Sequence, residues 1–291
     1  MRRPAPQNLE QIRHPGPRAD NRTPFALCHA TSCKIALPGK QPLLQEIGTW
    51  AETHEYTSAV LDLSETVLGA FSYVMPDCPV DDRHAAWYSD IHQCDGARLK
   101  EAVAIIGWKD GSWFAHLHAY WTNATSQCFG HLLPETLMLD APFEGSGYGL
   151  KGARFEVAPD PETEFSLFRV KEDSTYPLPA SPNALITTLA PFEDITEGVR
   201  HLCSAFVVPS AHVAGLGSLA GARFLDGPPM TGLISEILLR PGQCRVTDDT
   251  DRLVVRGIDL TGTHVQGTLA AGDAPTLITN ELLLVSDTKI P

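Results

Sequence analysis

The sequence predicts an α+β protein built from two tandem copies of one domain, each a largely antiparallel sheet with one main helix. Three observations carry this prediction. In each half a short strand is followed by a helix and then by several strands with little further helix. Two stretches roughly 150 residues apart repeat one another, the signature of one fold used twice. Helices between most strands, which a doubly wound parallel sheet requires, are missing. At 291 residues, 43% hydrophobic and 20% charged, the chain can bury cores of ordinary size.

Residues 1–26 read as an extended arm, with five prolines and several arginines, suited to strapping a neighbouring subunit. The first copy spans 27–142. Leu37-Pro38-Gly39 precedes an amphipathic run from Pro42 to His54, with Leu43, Leu44, Ile47 and Trp50 at helical spacing. The strand-like Ser58 to Ser64 follows, then Gly69-Ala70-Phe71. An insertion at about 72–98 carries Asp81-Asp82-Arg83-His84 and Trp87-Tyr88, and the second copy has no counterpart to it. Glu101 to Gly107 is an apolar strand entered by a glutamate.

Residues 143–183 are rich in Gly, Pro and acidic residues and read as a structured linker, broken at Pro159-Asp160-Pro161-Glu162. The second copy, 184–291, runs through Leu189-Ala190-Pro191 into a helix with Ile195, Val199, Leu202 and Phe206 on one face. Ala211 to Ser218 then follows the helix as Ser58 to Ser64 does in the first copy. Glu236 to Gly242 matches Glu101 to Gly107 with glutamate and glycine at the same spacing, and Gly267-Thr268-Leu269 matches Gly130-His131-Leu132.

The chemistry lies in Trp113 to Trp121, which contains His116-Leu117-His118, and in His131 beyond a polar connection from Thr122 to Gln127. The aromatic and apolar flanks make the segment a strand. On a strand His116 and His118 point the same way, whereas on a helix they would diverge by roughly 200°. A returning strand brings His131 across from the pair. Three neutral imidazoles with one position left open describe a catalytic divalent-metal site better than a closed structural one, and zinc is the favoured ion. The plainer alternative is that they are hydrogen-bonded histidines of a half-buried strand. The second copy has Arg256-Gly257-Ile258 in place of the His-X-His strand, so it keeps the scaffold without the ligands.

Composition narrows the classes further. A net charge of −13, with no Lys/Arg run, opposes nucleic-acid binding, which rests on cations displacing counterions. The seven cysteines are scattered with no Cys-X-X-Cys pair, which fits reduced thiols in a cytoplasmic protein. The N-terminus has no apolar stretch resembling a signal peptide, and no window approaches the length of a membrane helix.

The glutamate strand ending in Gly107, the His116-Leu117-His118 pair and Gly130-His131-Leu132 together resemble the plant-and-prokaryote-conserved (PPC) domain. Gly215-Leu216-Gly217-Ser218 looks like that family's glycine-serine turn. The likeness covers roughly 27–142 and 184–287. The first copy departs from the pattern in having Phe129 before Gly130, and the second in lacking all three histidines. The resemblance implies a compact α+β domain that assembles as a homo-oligomer, with a trimer favoured. It also implies fold kinship with acetolactate decarboxylase and with a zinc-dependent ester hydrolase. Plant members accompany DNA-binding AT-hooks, and this chain has no Arg-Gly-Arg-Pro hook.

A metal on His116, His118 and His131 needs a nearby acid or base, and Glu101 is the first candidate, with Glu135 the second. The presence of Glu236 at the same place in the ligand-free copy gives Glu101 an equally good scaffold role. Arg83 and His84 of the insertion are candidates for holding an anionic small-molecule substrate, and Tyr88 for lining its pocket. Cys128 is nearer a small packed residue than a ligand, and His212 and His264 read as structural. Three functional classes stay open: a zinc-type hydrolase or lyase acting on a small carbonyl, carboxylate or ester substrate; a DNA-associated regulator; and a metal-stabilised binding module without turnover.

Overall fold

The structure, a computed structural model, describes residues 3–122, 126–288 and 290. The expected connection at 123–125 lies outside the described residues, as does Arg2 of the basic tail. The first half begins with β1 (Phe25–Leu37), α1 (Leu43–Thr53) and β2 (Ser58–Asp62). After them come β3 (Phe71–Val74), β4 (Ala97–Lys109), β5 (Ser112–Thr122), β6 (Gln127–Leu132), β7 (Phe143–Pro159) and β8 (Ser166–Asp173). The second half contains β9 (Ala184–Leu189), α2 (Ile195–Ala205), β10 (Ser210–Leu219) and β11 (Ser235–Leu239). It ends with β12 (Val254–Asp259), β13 (His264–Thr268) and β14 (Thr276–Ser286).

Pairing confirms the repeat. The first sheet runs β1–β7–β2–β4–β5–β6–β3, with these neighbours antiparallel. The second runs β9–β14–β10–β11–β12–β13, also antiparallel. Position for position, the second order reproduces the first six strands of the first. β1 also pairs with β9 and joins the two sheets. Tight local chemistry fixes two of these elements. Asp194 caps α2 by accepting from the Thr196 and Glu197 amides, and Asp110-Gly111, both at positive φ, closes the β4–β5 hairpin.

Side-chain alternation then sorts the layers. α1 buries Leu43, Ile47 and Trp50 against Leu117 and Trp121 of β5, and α2 buries Ile195, Val199 and Leu202 in an equivalent core of the second half. A third core holds strand residues of both halves and none from either helix, among them Val103, Ile105, Phe129, Leu216, Leu238 and Leu283. The two sheets therefore pack face to face with the helices outside, an α/β/β/α arrangement. Full burial of each such Leu, Ile or Phe is worth about 1.5–3 kcal/mol, so the inter-sheet face binds the halves into one unit.

The stretch expected to be a linker is corrected. Residues 143–159 form β7, an interior strand between β1 and β2 and the counterpart of β14. Its glycines serve close packing, not a loop. A Cβ on Gly147 would lie 2.4 Å from the Val60 carbonyl oxygen, and one on Gly149 would lie 2.2 Å from the Tyr56 ring. The expected break at Pro159 to Glu162 is present as the turn into β8. The N-terminal arm straps its own chain: Arg22 pairs with Glu162 and Glu193, and the Ala19 amide donates to Glu162 at 3.0 Å. Among the described residues no helix is long and apolar enough to cross a membrane.

Candidate metal centre

Period-2 alternation on β5 sends Ala115, Leu117, Ala119 and Trp121 toward α1, and Phe114, His116, His118 and Tyr120 toward the second sheet. β6 returns antiparallel with His131 directly opposite His118. The three imidazoles converge between the sheets, each offering a nitrogen within 4.8 Å of the others. The Nε2 atoms of His116 and His118 lie 3.1 Å apart. Two nitrogens bound to one tetrahedral zinc stand roughly 3.3 Å from each other, so this pair is already near ligand spacing.

The groups behind the rings set their tautomers. His118 Nδ1 donates to the Ile237 carbonyl at 2.8 Å, which leaves the Nε2 lone pair facing the centre. His116 Nδ1 contacts Glu281 Oε2 at 2.8 Å, and Glu281 is 1% exposed. Burial, reinforced by the neighbouring imidazoles, holds His118 and His131 well below the ordinary histidine value, so both are neutral and able to ligate.

A second carboxylate comes from the other copy. On β11, Ile237 and Leu239 face α2 while Glu236 and Leu238 face the first sheet. Glu236 Oε1 lies 3.7 Å from His118 Nε2 and 3.8 Å from His131 Nδ1. Its Oε2 is buried with no hydrogen-bond partner, and burial lifts the carboxyl to about 8. An orphaned carboxylate oxygen beside three neutral, inward-facing imidazoles fits a bound cation, which would supply the missing positive charge.

Glu101, the first acid–base candidate, is elsewhere. Arg240 Nη2 and Nε donate to it at 2.7 and 2.9 Å, and Arg256 Nε approaches at 3.1 Å. The ladders explain this. His118 lies opposite Val103 and Arg256 opposite Leu238, equivalent positions of the two copies, so Arg256 occupies the place of His118. Each copy thus lends its glutamate to the other copy's central strand: Glu236 meets histidines, Glu101 meets arginines. By the same ladders Gln266 faces Arg256 as His131 faces His118, which moves the sequence match at Thr268 by two residues. Thr268 binds Asp226 instead.

The remaining candidates separate by position. Glu135 is exposed in a short 3-10 turn and lines a groove with Glu52 and Trp113, on the α1 face of β5 and away from the histidines. Cys128, one residue from Phe129 on β6, packs on that same α1 side. His212 accepts from Arg245 at 2.8 Å, and His264 Nε2 lies 3.1 Å from the Gln127 carbonyl oxygen. Of the insertion residues, Tyr88 reaches the site, its hydroxyl 3.3 Å from His131 Nδ1. Arg83 pairs with Glu164 and His84 with Asp81, and neither lines the cavity of about 100 Å³ that His116, His118, Glu236 and Tyr88 help to enclose. Sequence reasoning missed Glu281 and read Glu236 only as a scaffold residue. The available signal was the same in both cases, a lone carboxylate in an apolar strand.

No family model matches the sequence, and no curated protein matches it. Solved structures do. A metal-containing protein of Archaeoglobus fulgidus is 20% identical, with 50% of this chain and 97% of that one covered at a TM-score of 0.38. A plant- and prokaryote-conserved (PPC) protein of Pyrococcus horikoshii is 16% identical, with coverage of 49% and 94% and a TM-score of 0.37. The likeness is one of fold. A protein of Ralstonia eutropha named for suspected DNA binding is 19% identical over 47% of this chain and 90% of its own, at a TM-score of 0.34. Each of these neighbours is matched over about half of this chain.

Proposed function

We propose that the protein holds one divalent metal ion, zinc by the character of its ligands, on His116, His118 and His131, and acts there on a small carbonyl, carboxylate or ester substrate. The observation that carries this reading is the buried, half-unsatisfied Glu236 carboxylate set against three inward-facing imidazoles. A bound ion of this type acidifies a water or polarises a substrate oxygen.

The chain's own groups supply the rest. Glu281 and the Ile237 carbonyl aim the His116 and His118 rings. Glu236 Oε1, 3.7 Å from His118 Nε2 and 3.8 Å from His131 Nδ1, is placed to take and return a proton at the centre, the role first assigned to Glu101. Tyr88 places a hydroxyl beside His131 at the mouth of the insertion. A DNA-associated role is the weaker reading, because a net charge of −13 opposes a phosphate backbone.

The test is turnover of a panel of small esters and 2-oxo or 2-hydroxy acids by metal-loaded protein. Glu236→Gln should keep the metal and cut kcat by about 10²–10⁴-fold, the usual worth of a general acid or base. Metal-loaded protein that turns over nothing in the panel would leave a binding module in place of an enzyme.

A further inference from the structure

We propose that the substrate of this site has an apolar body and a single oxygen-donor head, neutral or singly charged, and is not a phosphorylated or multiply anionic compound. The proposal rests on the metal reading above and adds the chemistry of the ligand.

The cavity beside the histidines is walled by Trp87, Phe165, Leu167, Ile234, Leu277 and Ile278. Two of its serine hydroxyls are committed to the backbone. Ser218 Oγ accepts from the Ile278 amide at 2.9 Å, and Ser235 Oγ donates to the Leu219 carbonyl at 2.9 Å. Among the described residues no lysine or arginine lines the cavity, and the charged side chains nearest the histidine nitrogens are the carboxylates Glu236 and Glu281. Apart from the metal ion itself, which one oxygen head already occupies, a phosphate or a second carboxylate would meet no guanidinium or ammonium and would face these two acids. One oxygen-bearing head can be held at the metal end, where Glu236 and the Tyr88 hydroxyl supply the polar contacts. The remainder of the ligand faces a wall that is mainly apolar.

The wall is also fixed in place. Ala86, Ile234 and Leu277 line the cavity and belong to a small separate core with Ile12 of the N-terminal arm, Ala85 and Ala220. The arm, the insertion and the second copy therefore jointly set the cavity, whose volume of about 100 Å³ suits one ring or a short branched chain. The insertion is confined to the histidine-bearing copy, so it supplies the specificity wall, through Trp87 and Ala86 and not through Arg83 or His84.

Cobalt-loaded full-length protein provides the test, with ligand binding followed by visible absorption. The probes are benzohydroxamate, acetohydroxamate and phenyl phosphate. Benzohydroxamate should bind at least tenfold more tightly than acetohydroxamate, and phenyl phosphate should leave the spectrum unchanged. Leu277→Trp, which narrows the wall, should abolish the preference for benzohydroxamate with the cobalt content retained. Equal affinity for the two hydroxamates, or tight binding of phenyl phosphate, would overturn the substrate class and leave the metal centre standing. Failure to take up cobalt would remove both readings together.

Discussion

Behind His116 stands a carboxylate and behind His118 a backbone carbonyl, and both are buried between two sheets. Such partners orient a ligand and raise its basicity, and their loss costs about 10–100-fold in metal affinity. Glu281→Gln keeps the shape and removes the charge, so it should weaken metal binding within that range in a chelator competition. Unchanged affinity would show that Glu281 only fills space. Glu236 makes a separate prediction for metal-free protein. Its folded value of about 8 lies above the ordinary 4.5, so folding favours the protonated form. The stability it contributes is complete below pH 4.5 and is lost as pH rises through about 8. Glu236→Gln should therefore raise the melting temperature in chelator at pH 8 and leave it unchanged near pH 4.5. An equal gain at both pH values would mean that burial does not govern this carboxyl. The three histidines were legible because strand parity and one hairpin suffice to bring them together. Glu281 was not, because nothing local tells which face of Asn280 to Val285 meets another sheet.

At the scale of elements, most strands announced themselves through apolar and β-branched runs. β7 did not, because Gly145, Gly147 and Gly149 look like loop residues until Val60 and Tyr56 are seen lying against them. Asp110-Gly111, a strong hairpin signal between β4 and β5, was there to be read. The exchange of glutamates could not be read at all, since it depends on how β5 and β11 cross from opposite sheets. It predicts that Glu101→Gln leaves Arg240 and Arg256 without their carboxylate and lowers stability by about 1–3 kcal/mol, between the values for exposed and fully buried pairs. Metal content should be unaffected. A folded Glu101→Gln protein without metal would place Glu101 in the centre and undo the exchange.

For the molecule as a whole, the sequence revealed two copies but not that they face each other across a shared core. That arrangement shows what stands in the second copy where the first has histidines. The inter-sheet space holds two equivalent positions, one built of imidazoles and Glu236, the other filled by the Glu101–Arg240–Arg256 ion pairs, with Arg256 stacked 4.2 Å from the Tyr120 ring centre. A guanidinium there supplies the positive charge that the proposed metal would supply at the first position. The most direct measurement is metal content by plasma mass spectrometry, on protein purified without a His tag, for wild type and for His116→Ala/His118→Ala. Wild type should carry about one zinc, manganese or iron per chain, and the variant should carry none while keeping its fold. A folded wild-type protein that holds no metal, even after reconstitution, would contradict the account at its centre.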